Sequence, residues 1–224
     1  AAEAREARER LVELVAEADD ALMEQFFEEG TLDDGELARG LRTAVATGAV
    51  VPVLCTSALE NIGTDVLLSA IVDLVPSPAE RKLRAVAQPS GESVDAVASD
   101  SAPTRLFVWK TVADPFAGRI SLFRVVTGVA RDDMTLTLVG KGGQERLCHL
   151  LTVQGKAQQP APELHAGDLG AVAKLKDTQT GDTLADKATD VAFPPIAFAE
   201  PLMSYALEPK RRAGEEKNST ALHR

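Results

Sequence analysis

A lysine beside glycine, at Lys141, is the pattern in this chain that most resembles a nucleotide phosphate site. Such a site needs a cradle of backbone amides, a lysine on the β- and γ-phosphates and a hydroxyl on magnesium, usually spaced as GxxxxGK[ST]. No run of that kind occurs, and the DxxG and [NT]KxD spacings are also missing. Residues 140–143 (GKGG) lie between two alternating segments, which favours a hairpin turn over a phosphate loop. We therefore predict that this chain alone does not hydrolyse GTP.

The remaining groups that could act as acids, bases, nucleophiles or metal ligands are isolated from one another. The three histidines, His149, His165 and His223, have no partner at metal-ligand spacing, and none sits beside a serine or cysteine in a nucleophile setting. The acid pairs Asp132-Asp133 and Asp177 with Asp182 occur in turn-like contexts, where aspartate bonds its own backbone. Cys55 and Cys148 show no pairing or metal spacing, which indicates reduced thiols. We predict no catalytic residue and no metal site.

Ser57, Ala58 and Leu59 form the candidate ligand-binding turn. They follow the apolar run at 50–55 (VVPVLC), which is typical of a strand covered on both faces in a parallel sheet. In α/β folds ligands bind at the carboxyl edge of such strands, where backbone N–H groups are exposed. The Ser-Ala pair is common, so a plain strand-to-helix turn is the alternative interpretation.

The elements around this turn are predicted from periodicity. Apolar residues spaced three or four apart predict a helix over 3–29, ended by Gly30, and a second over 33–48, begun by a capping box of Asp33 and Glu36. Thr64 begins a third helix that Pro76 stops. The order helix, helix, strand, helix over residues 1–80 is typical of the last quarter of a doubly wound α/β domain. One strand makes no sheet, so we expect its neighbours to be absent from this chain.

The rest of the chain divides into three segments. Residues 81–102 hold few large apolar side chains and are predicted to be a linker or mobile loop. Residues 103–195 alternate with period two in short strands separated by glycine-rich turns, which predicts a small closed β-barrel. Residues 196–224 are predicted to begin a further domain that is incomplete.

Composition limits the classes of function. The chain has 224 residues, is 45% hydrophobic and 26% charged, and carries a net charge of -10. Residues 1–80 hold 5 basic and 17 acidic side chains (net -12), whereas residues 103–192 hold 11 and 10 (net +1). This asymmetry predicts at least two domains, and it restricts contact with nucleic acid to patches on the second half. No segment has the pattern of a membrane span or signal peptide, so a cytoplasmic protein is expected.

Four groups of residues together resemble elongation factor G. The run VPVLCTSAL at 51–59 with Asn-Ile-Gly at 61–63 is similar to the end of that family's GTP-binding domain. Residues 110–128 resemble the opening hairpin of its second domain, residues 166–184 the closing strands, and residues 200–210 the entry to the third. The four groups occur in order and cover nearly the whole chain. Residues 149–156 (HLLTVQGK) depart from the main translocation factor and are similar to elongation factor G-like paralogues, which serve translocation, ribosome recycling or ribosome protection.

This resemblance implies a multi-domain α+β protein. Residues 1–80 would be the C-terminal part of the GTPase domain, and residues 103–195 a closed barrel of the six-stranded type found as domain II of translation factors. The backbone at Ser57, Ala58 and Leu59 would contact the guanine of GTP. The parent protein would use GTP and magnesium, with neither bound to this piece.

The resemblance also implies partners and a role. Domain II would contact small-subunit ribosomal RNA, through cations listed here as candidates: Lys110, Arg119, Arg124, Lys141, Lys174 and Lys176. In the same polypeptide its partners would be the rest of the GTPase domain and domains III to V. The implied function is a ribosome-dependent GTPase of translocation, in which this piece docks and relays the nucleotide state. The competing hypothesis is a stand-alone β-barrel binding module without a nucleotide.

Overall fold

A computed structural model describes residues 2–88, 90–114, 118–186, 191–206, 208 and 218. The chain divides into two compact units, Ala1–Ser77 and Pro78–Arg224. The described residues of the first unit form four helices: α1 (Ala2–Ala16), α2 (Asp20–Glu29), α3 (Asp34–Thr47) and α4 (Thr64–Leu74). Those of the second unit form a 3₁₀ turn at Pro78–Glu80 and thirteen strands: β1 (Lys82–Ala87), β2 (Ser93–Val97), β3 (Arg105–Asp114), β4 (Gly118–Thr127), β5 (Ala130–Arg131), β6 (Thr135–Leu138), β7 (Gln144–Arg146), β8 (Leu151–Gln154), β9 (Ala157–Pro160), β10 (Glu163–Leu164), β11 (Leu169–Ala173), β12 (Thr183–Ala185) and β13 (Val191–Ala192).

The first three helices pack around a small apolar core. The prediction of one helix over 3–29 was wrong, because Asp19 caps a new helix by accepting hydrogen bonds from the N–H groups of Ala21 and Leu22. The predicted cap at Gly30 and the capping box of Asp33 and Glu36 are confirmed. The core side chains are Val12, Val15, Ala16, Leu32 and Leu37. At Gly40 in α3, a Cβ would lie 2.4 Å from Leu22 and 2.5 Å from Val15, so glycine permits the close packing.

The segment at 50–55 is not a strand in this structure, which corrects the prediction of a strand buried on both faces. It makes no ladder with another described segment, and the side chains of Val51 and Val53 are 78% and 88% exposed. A lone extended segment has no partner for its backbone N–H and C=O groups, so no sheet forms. Helix α4 is present as predicted, but it buries no residue completely. Arg42 of α3 donates a hydrogen bond to the carbonyl of Asp73 at 2.9 Å, which ties α3 to the end of α4.

The main sheet of the second unit is antiparallel, with strand order β7-β6-β12-β3-β4-β11-β8-β9. A separate ribbon pairs β5 with β10. The predicted closed barrel is therefore corrected: among the described residues the two end strands, β7 and β9, do not pair with each other. β7 is three residues long and β9 is exposed along its whole length, so the two edges offer no matching ladder. The β8–β9 hairpin, which turns at Gly155, was not predicted.

The open sheet nevertheless curls around a single core. Side chains from β3, β4, β6, β11 and β12 and from the β5–β10 ribbon share one buried cluster. Phe123 is its largest fully buried side chain. Leu106 and Val108 on β3, and Phe123 and Val125 on β4, alternate with residues that face away, which is the period-two pattern read from the sequence.

Residues 81–102 are not a linker, since β1 and β2 form a hairpin that β13 extends to three strands. The prediction was wrong because small side chains do the packing. Ala85 and Ala96 are buried against Val126, Val191 and Phe193. The third strand lies far from the hairpin in sequence, beyond the whole main sheet, so no local pattern indicates the small sheet. After Ala192 the described residues contain no further strand, and much of the predicted start of a third domain lies outside the described residues.

Candidate functional site

The turn at Ser57 is closed by two backbone hydrogen bonds. Ser57 N–H donates to the Ile62 carbonyl and Ile62 N–H to the Ser57 carbonyl, both at 3.0 Å. Gly63 follows with φ of 72°, and a Cβ there would lie 3.2 Å from the carbonyl oxygen of Cys55. Glycine therefore allows the chain to pass from this turn directly into α4, whose N-cap it is.

The tip of this turn faces outward. The side chain of Leu59 is 94% exposed. No other described residue accepts a hydrogen bond from the N–H of Ala58 or Leu59. Two free N–H groups on a turn that is closed at its base can donate to an acceptor atom on a planar ligand. This geometry is compatible with the predicted ligand contact and equally with an ordinary turn before a helix.

The six candidate cations differ in what they contact. The ammonium of Lys141 forms an ion pair with Asp182 at 2.8 Å, so its charge is largely committed within the protein. Arg119 donates from its guanidinium to the carbonyls of Leu175 and Lys176, which fixes the loop after β11. These two side chains have structural roles in addition to any contact with RNA.

Lys174 and Lys176 lie next to Arg119 at one end of the main sheet. Lys174 N–H donates to the Arg119 carbonyl at 2.9 Å, and Lys174 has a positive φ of 64°. Both lysine side chains are exposed and have no ion pair with another described residue. Lys110 and Arg124 are likewise unpaired within the described part of the chain, but they lie further along the sheet. The structure therefore brings three of the six candidates together, namely Arg119, Lys174 and Lys176.

Glu145, which was not among the site residues predicted from the sequence, binds the loop next to this cluster. Its carboxylate is buried and accepts hydrogen bonds from the N–H groups of Lys176, Asp177 and Thr178 at 3.0, 2.8 and 3.1 Å, and from the Thr178 hydroxyl at 3.0 Å. Burial raises the pKa of Glu145, but these hydrogen bonds outweigh it and leave the pKa below its ordinary value. Glu145 thus holds the loop that presents Lys176. The available signal was an acid at an inward position of an alternating strand.

A second unpredicted contact joins two loops of the same unit. The Nδ1 atom of His165 lies 2.8 Å from a carboxylate oxygen of Asp100, and Ala166 N–H donates to the other oxygen at 2.9 Å. The hydrogen bond from Ala166 and that with His165 lower the pKa of Asp100. The hydrogen bond and charge of Asp100 raise the pKa of His165. The pair is exposed and joins the chain after β2 to the turn before β11.

Two classes of site find no support in the part of the chain that the structure describes. No group of three or more His, Cys, Asp or Glu side chains is arranged to hold a metal ion. No described helix has both the length and the apolar character needed to span a membrane.

Comparison with known proteins agrees with the fold of the second unit. Residues 103–187 match the family of elongation factor G domain 2. A crystal structure of a protein from Thermus thermophilus is similar over 96% of this chain, with 28% sequence identity and a TM-score of 0.74. This chain covers 30% of the length of that one. The structural match reaches from the helical unit through the antiparallel sheet. The resemblance found in the sequence is therefore confirmed. The chain is similar to elongation factor G and carries a domain of the elongation factor G domain 2 family at residues 103–187.

Proposed function

We propose that this chain is the piece of a ribosome-dependent translational GTPase that docks on the ribosome and relays the nucleotide state to other domains. The observation that carries the proposal is the family match over residues 103–187, which covers the main sheet from β3 to β12. A translation-factor-like protein is thereby identified, and translocation is the step that we propose for the parent. The relay is proposed to pass through the main sheet, which packs around one core.

The first unit is proposed to be the C-terminal part of a GTPase domain. Its exposed apolar residues support this assignment, since Val51 and Val53 remain exposed on a segment without strand partners. In α4, Val66, Leu68 and Val72 are also more than half exposed. Apolar faces of this kind are expected where further strands and helices of an α/β sheet pack. Ser57, Ala58 and Leu59 would then lie at the guanine of GTP, where the free N–H groups of Ala58 and Leu59 can donate.

RNA contact is proposed at the end of the main sheet that holds Arg119, Lys174 and Lys176. Two of these cations are exposed and unpaired, and the third fixes their loop. Phosphate groups on folded RNA are recognised by such cations, with the shape of the RNA setting the fit. Lys141 is the weakest of the six candidates because its charge is offset by Asp182.

The GTPase part of the proposal is tested on the longer gene product. It should bind guanine nucleotides and hydrolyse GTP faster in the presence of ribosomes, and failure of both would refute the proposal. This chain alone, which lacks a phosphate loop, should show no measurable GTP affinity by calorimetry. A micromolar or tighter dissociation constant, equivalent to about -8 kcal/mol, would contradict that expectation.

The docking part is tested by co-sedimentation of this chain with small ribosomal subunits over a range of salt concentrations. Replacing Lys174 and Lys176 together by glutamine should weaken binding and lower the slope of log K against log salt by about 2. The matched control replaces Arg146 and Arg131 together by glutamine, because both arginines are exposed but paired, with Asp133 at 3.1 Å and Glu163 at 3.4 Å. An equal loss of binding to the small ribosomal subunit in the lysine variant and in the arginine control would argue against a specific contact at the lysines.

A further inference from the structure

An apolar cavity of about 440 Å³ lies in the second unit, between the small β1–β2–β13 sheet and the outer face of the main sheet. Part of its wall is a row of three residues that lie opposite one another on β3, β4 and β11: Phe107, Arg124 and Leu169. These alternate along their strands with core residues such as Phe123, so they face away from the main core. The volume falls within the range of about 300–1,000 Å³ that is usual for small-molecule sites.

The other walls are also apolar and are held in place by packing. Leu83 comes from β1, and Phe193 follows β13 and packs edge-on against Phe107, with ring centroids 6.0 Å apart. Two large apolar side chains in the wall remain open to solvent, since Leu169 is 60% and Trp109 38% exposed. A ligand in the cavity would cover this surface, which favours a ligand with an apolar body.

The charged groups at the cavity are two arginines, Arg84 and Arg124. Neither guanidinium forms a hydrogen bond or ion pair with another described residue. Asp95 lies opposite Arg84 in the β1–β2 ladder, but the ion pair of its carboxylate is with Lys82, at 3.7 Å. No acidic side chain is among the lining residues. The cavity therefore has positive charge that the described part of the protein leaves without a counterion.

All polar side-chain groups in the lining are hydrogen-bond donors, namely the two guanidinium groups and the indole N–H of Trp109. A sugar or nucleobase would bring donors of its own and would find no side-chain acceptor for them. A carboxylate brings acceptors alone, and guanidinium binds it through two parallel hydrogen bonds. The side chains of the lining thus favour an anion attached to an apolar body.

We propose that this cavity is a binding site for a small apolar carboxylic acid, held by Arg84 and Arg124 with its apolar part against Phe107, Trp109 and Leu169. The ligand covers the exposed faces of Trp109 and Leu169 and supplies the counterion for both arginines. Arg124 is also one of the six candidate RNA contacts, but the cavity shares no residue with the proposed nucleotide turn or with the cluster of Arg119, Lys174 and Lys176. The tests of those two sites and the test of the cavity therefore succeed or fail independently.

The chain contains one tryptophan, so the fluorescence of Trp109 reports on the cavity without labelling. Octanoate is the probe, and 1-octanol, which lacks the carboxylate, is the matched control ligand. Titration of the full chain with octanoate should change Trp109 emission until the signal saturates. The dissociation constant of 1-octanol should be at least about tenfold higher than that of octanoate. Backbone amide shifts in ¹⁵N NMR spectra should move at Leu83 and Leu169 with the same dissociation constant.

Charge-removing variants test the role of the arginines. Arg84→Gln and Arg124→Gln should each weaken octanoate binding about tenfold and leave 1-octanol binding unchanged. Arg131→Gln, an exposed arginine paired with Glu163 away from the cavity, should have no effect. Far-UV circular dichroism of the free variants establishes folding. Arg84 lies at an exposed strand position, so we expect Arg84→Gln to fold. This variant therefore still tests the role of the arginines if Arg124→Gln does not fold.

Three results would overturn the proposal. The first is a dissociation constant for octanoate weaker than about 1 mM, equivalent to about -4.1 kcal/mol. The second is equal binding of octanoate and 1-octanol, because the arginines would then contribute nothing. The third is an equal loss of octanoate binding in Arg131→Gln and Arg84→Gln, because the effect would then be one of net charge.

Discussion

The two units of this chain are both rich in apolar residues but bury them to different extents. In the unit at 78–224, side chains from several strands and loops share one buried cluster, with Phe123 completely inaccessible to solvent. In the unit at 1–77, five buried side chains form the core, and Val51, Val53 and Leu68 remain exposed. The difference indicates that the sheet unit is stabilised by its own core. The helical unit depends more on local interactions such as helix caps.

The difference in apolar burial between the two units is tested most strongly by truncating one apolar side chain in each unit. Phe123→Ala removes the largest side chain of the sheet core and should lower the free energy of unfolding by about 3–5 kcal/mol. Leu68→Ala on α4, where the leucine is 58% exposed, should change it by less than about 0.5 kcal/mol. Urea denaturation followed by Trp109 fluorescence reports on the sheet unit, and circular dichroism at 222 nm reports on the helices. A small effect of Phe123→Ala would show that the sheet core is loosely packed.

The buried carboxylate of the sheet unit gives the next largest expected effect. Glu145→Gln keeps one oxygen to accept from the N–H groups of Asp177 and Thr178, but it puts an NH2 donor where the other oxygen accepts from Lys176 N–H, which should cost about 2 kcal/mol of unfolding free energy. The folded-state pKa of Glu145 is lowered, so its contribution is complete above the ordinary value of 4.5 and is lost as the pH falls through the folded value. The difference in unfolding free energy between wild type and variant should therefore narrow as the pH falls below 4.5. A gap that stays constant from pH 7 to pH 3 would show that the carboxylate charge is unimportant.

The matching local interaction in the helical unit is the capping box of α3. Asp33→Ala removes the side chain that accepts from Glu36 N–H at 2.8 Å and should destabilise the helices by about 1 kcal/mol. The helical signal at 222 nm should melt earlier, with the Trp109 transition unchanged. Glu24→Ala serves as the control, because Glu24 is an exposed acid on α2 that forms no hydrogen bond or ion pair through its side chain with another described residue. A shift of both transitions would show that the two units unfold together.

The smallest expected effect concerns the exposed pair of His165 and Asp100. The raised pKa of His165 means that its contribution is complete below the ordinary value of 6.5 and is lost as the pH rises through the folded value. The lowered pKa of Asp100 means that its contribution is present above 3.8 and is lost at lower pH. The stability difference between wild type and Asp100→Asn should thus be largest near pH 5–6 and smaller at pH 9. Glu92→Gln, at another exposed acid of the unit, should show no such pH dependence.

The interactions predicted correctly are those made within a few residues of sequence. The capping box of Asp33 and Glu36, the cap at Gly30 and the hairpin turn at Lys141 each depend on neighbours in the chain. The break at Asp19 was missed, although it too is local, because the apolar spacing continues across it. The guanine contact of Ser57, Ala58 and Leu59 remains a prediction, since a closed turn before a helix suits both interpretations.

The sequence alone determined that α3 and α4 are helices and that the main sheet is built from alternating strands, together with the charge division between the two halves and the absence of a phosphate loop. It also carried the family resemblance, because the motifs are local in the chain. The tertiary structure decided whether the main sheet closes, which side chains cover the β1–β2 hairpin, and which acids hold the loop of Lys176. Each of these depends on residues far apart in sequence: Val191 adds to a strand that begins at Lys82, and Glu145 meets the N–H of Asp177. Distant partners of this kind leave no periodic signal in either segment, so folding is needed to reveal them.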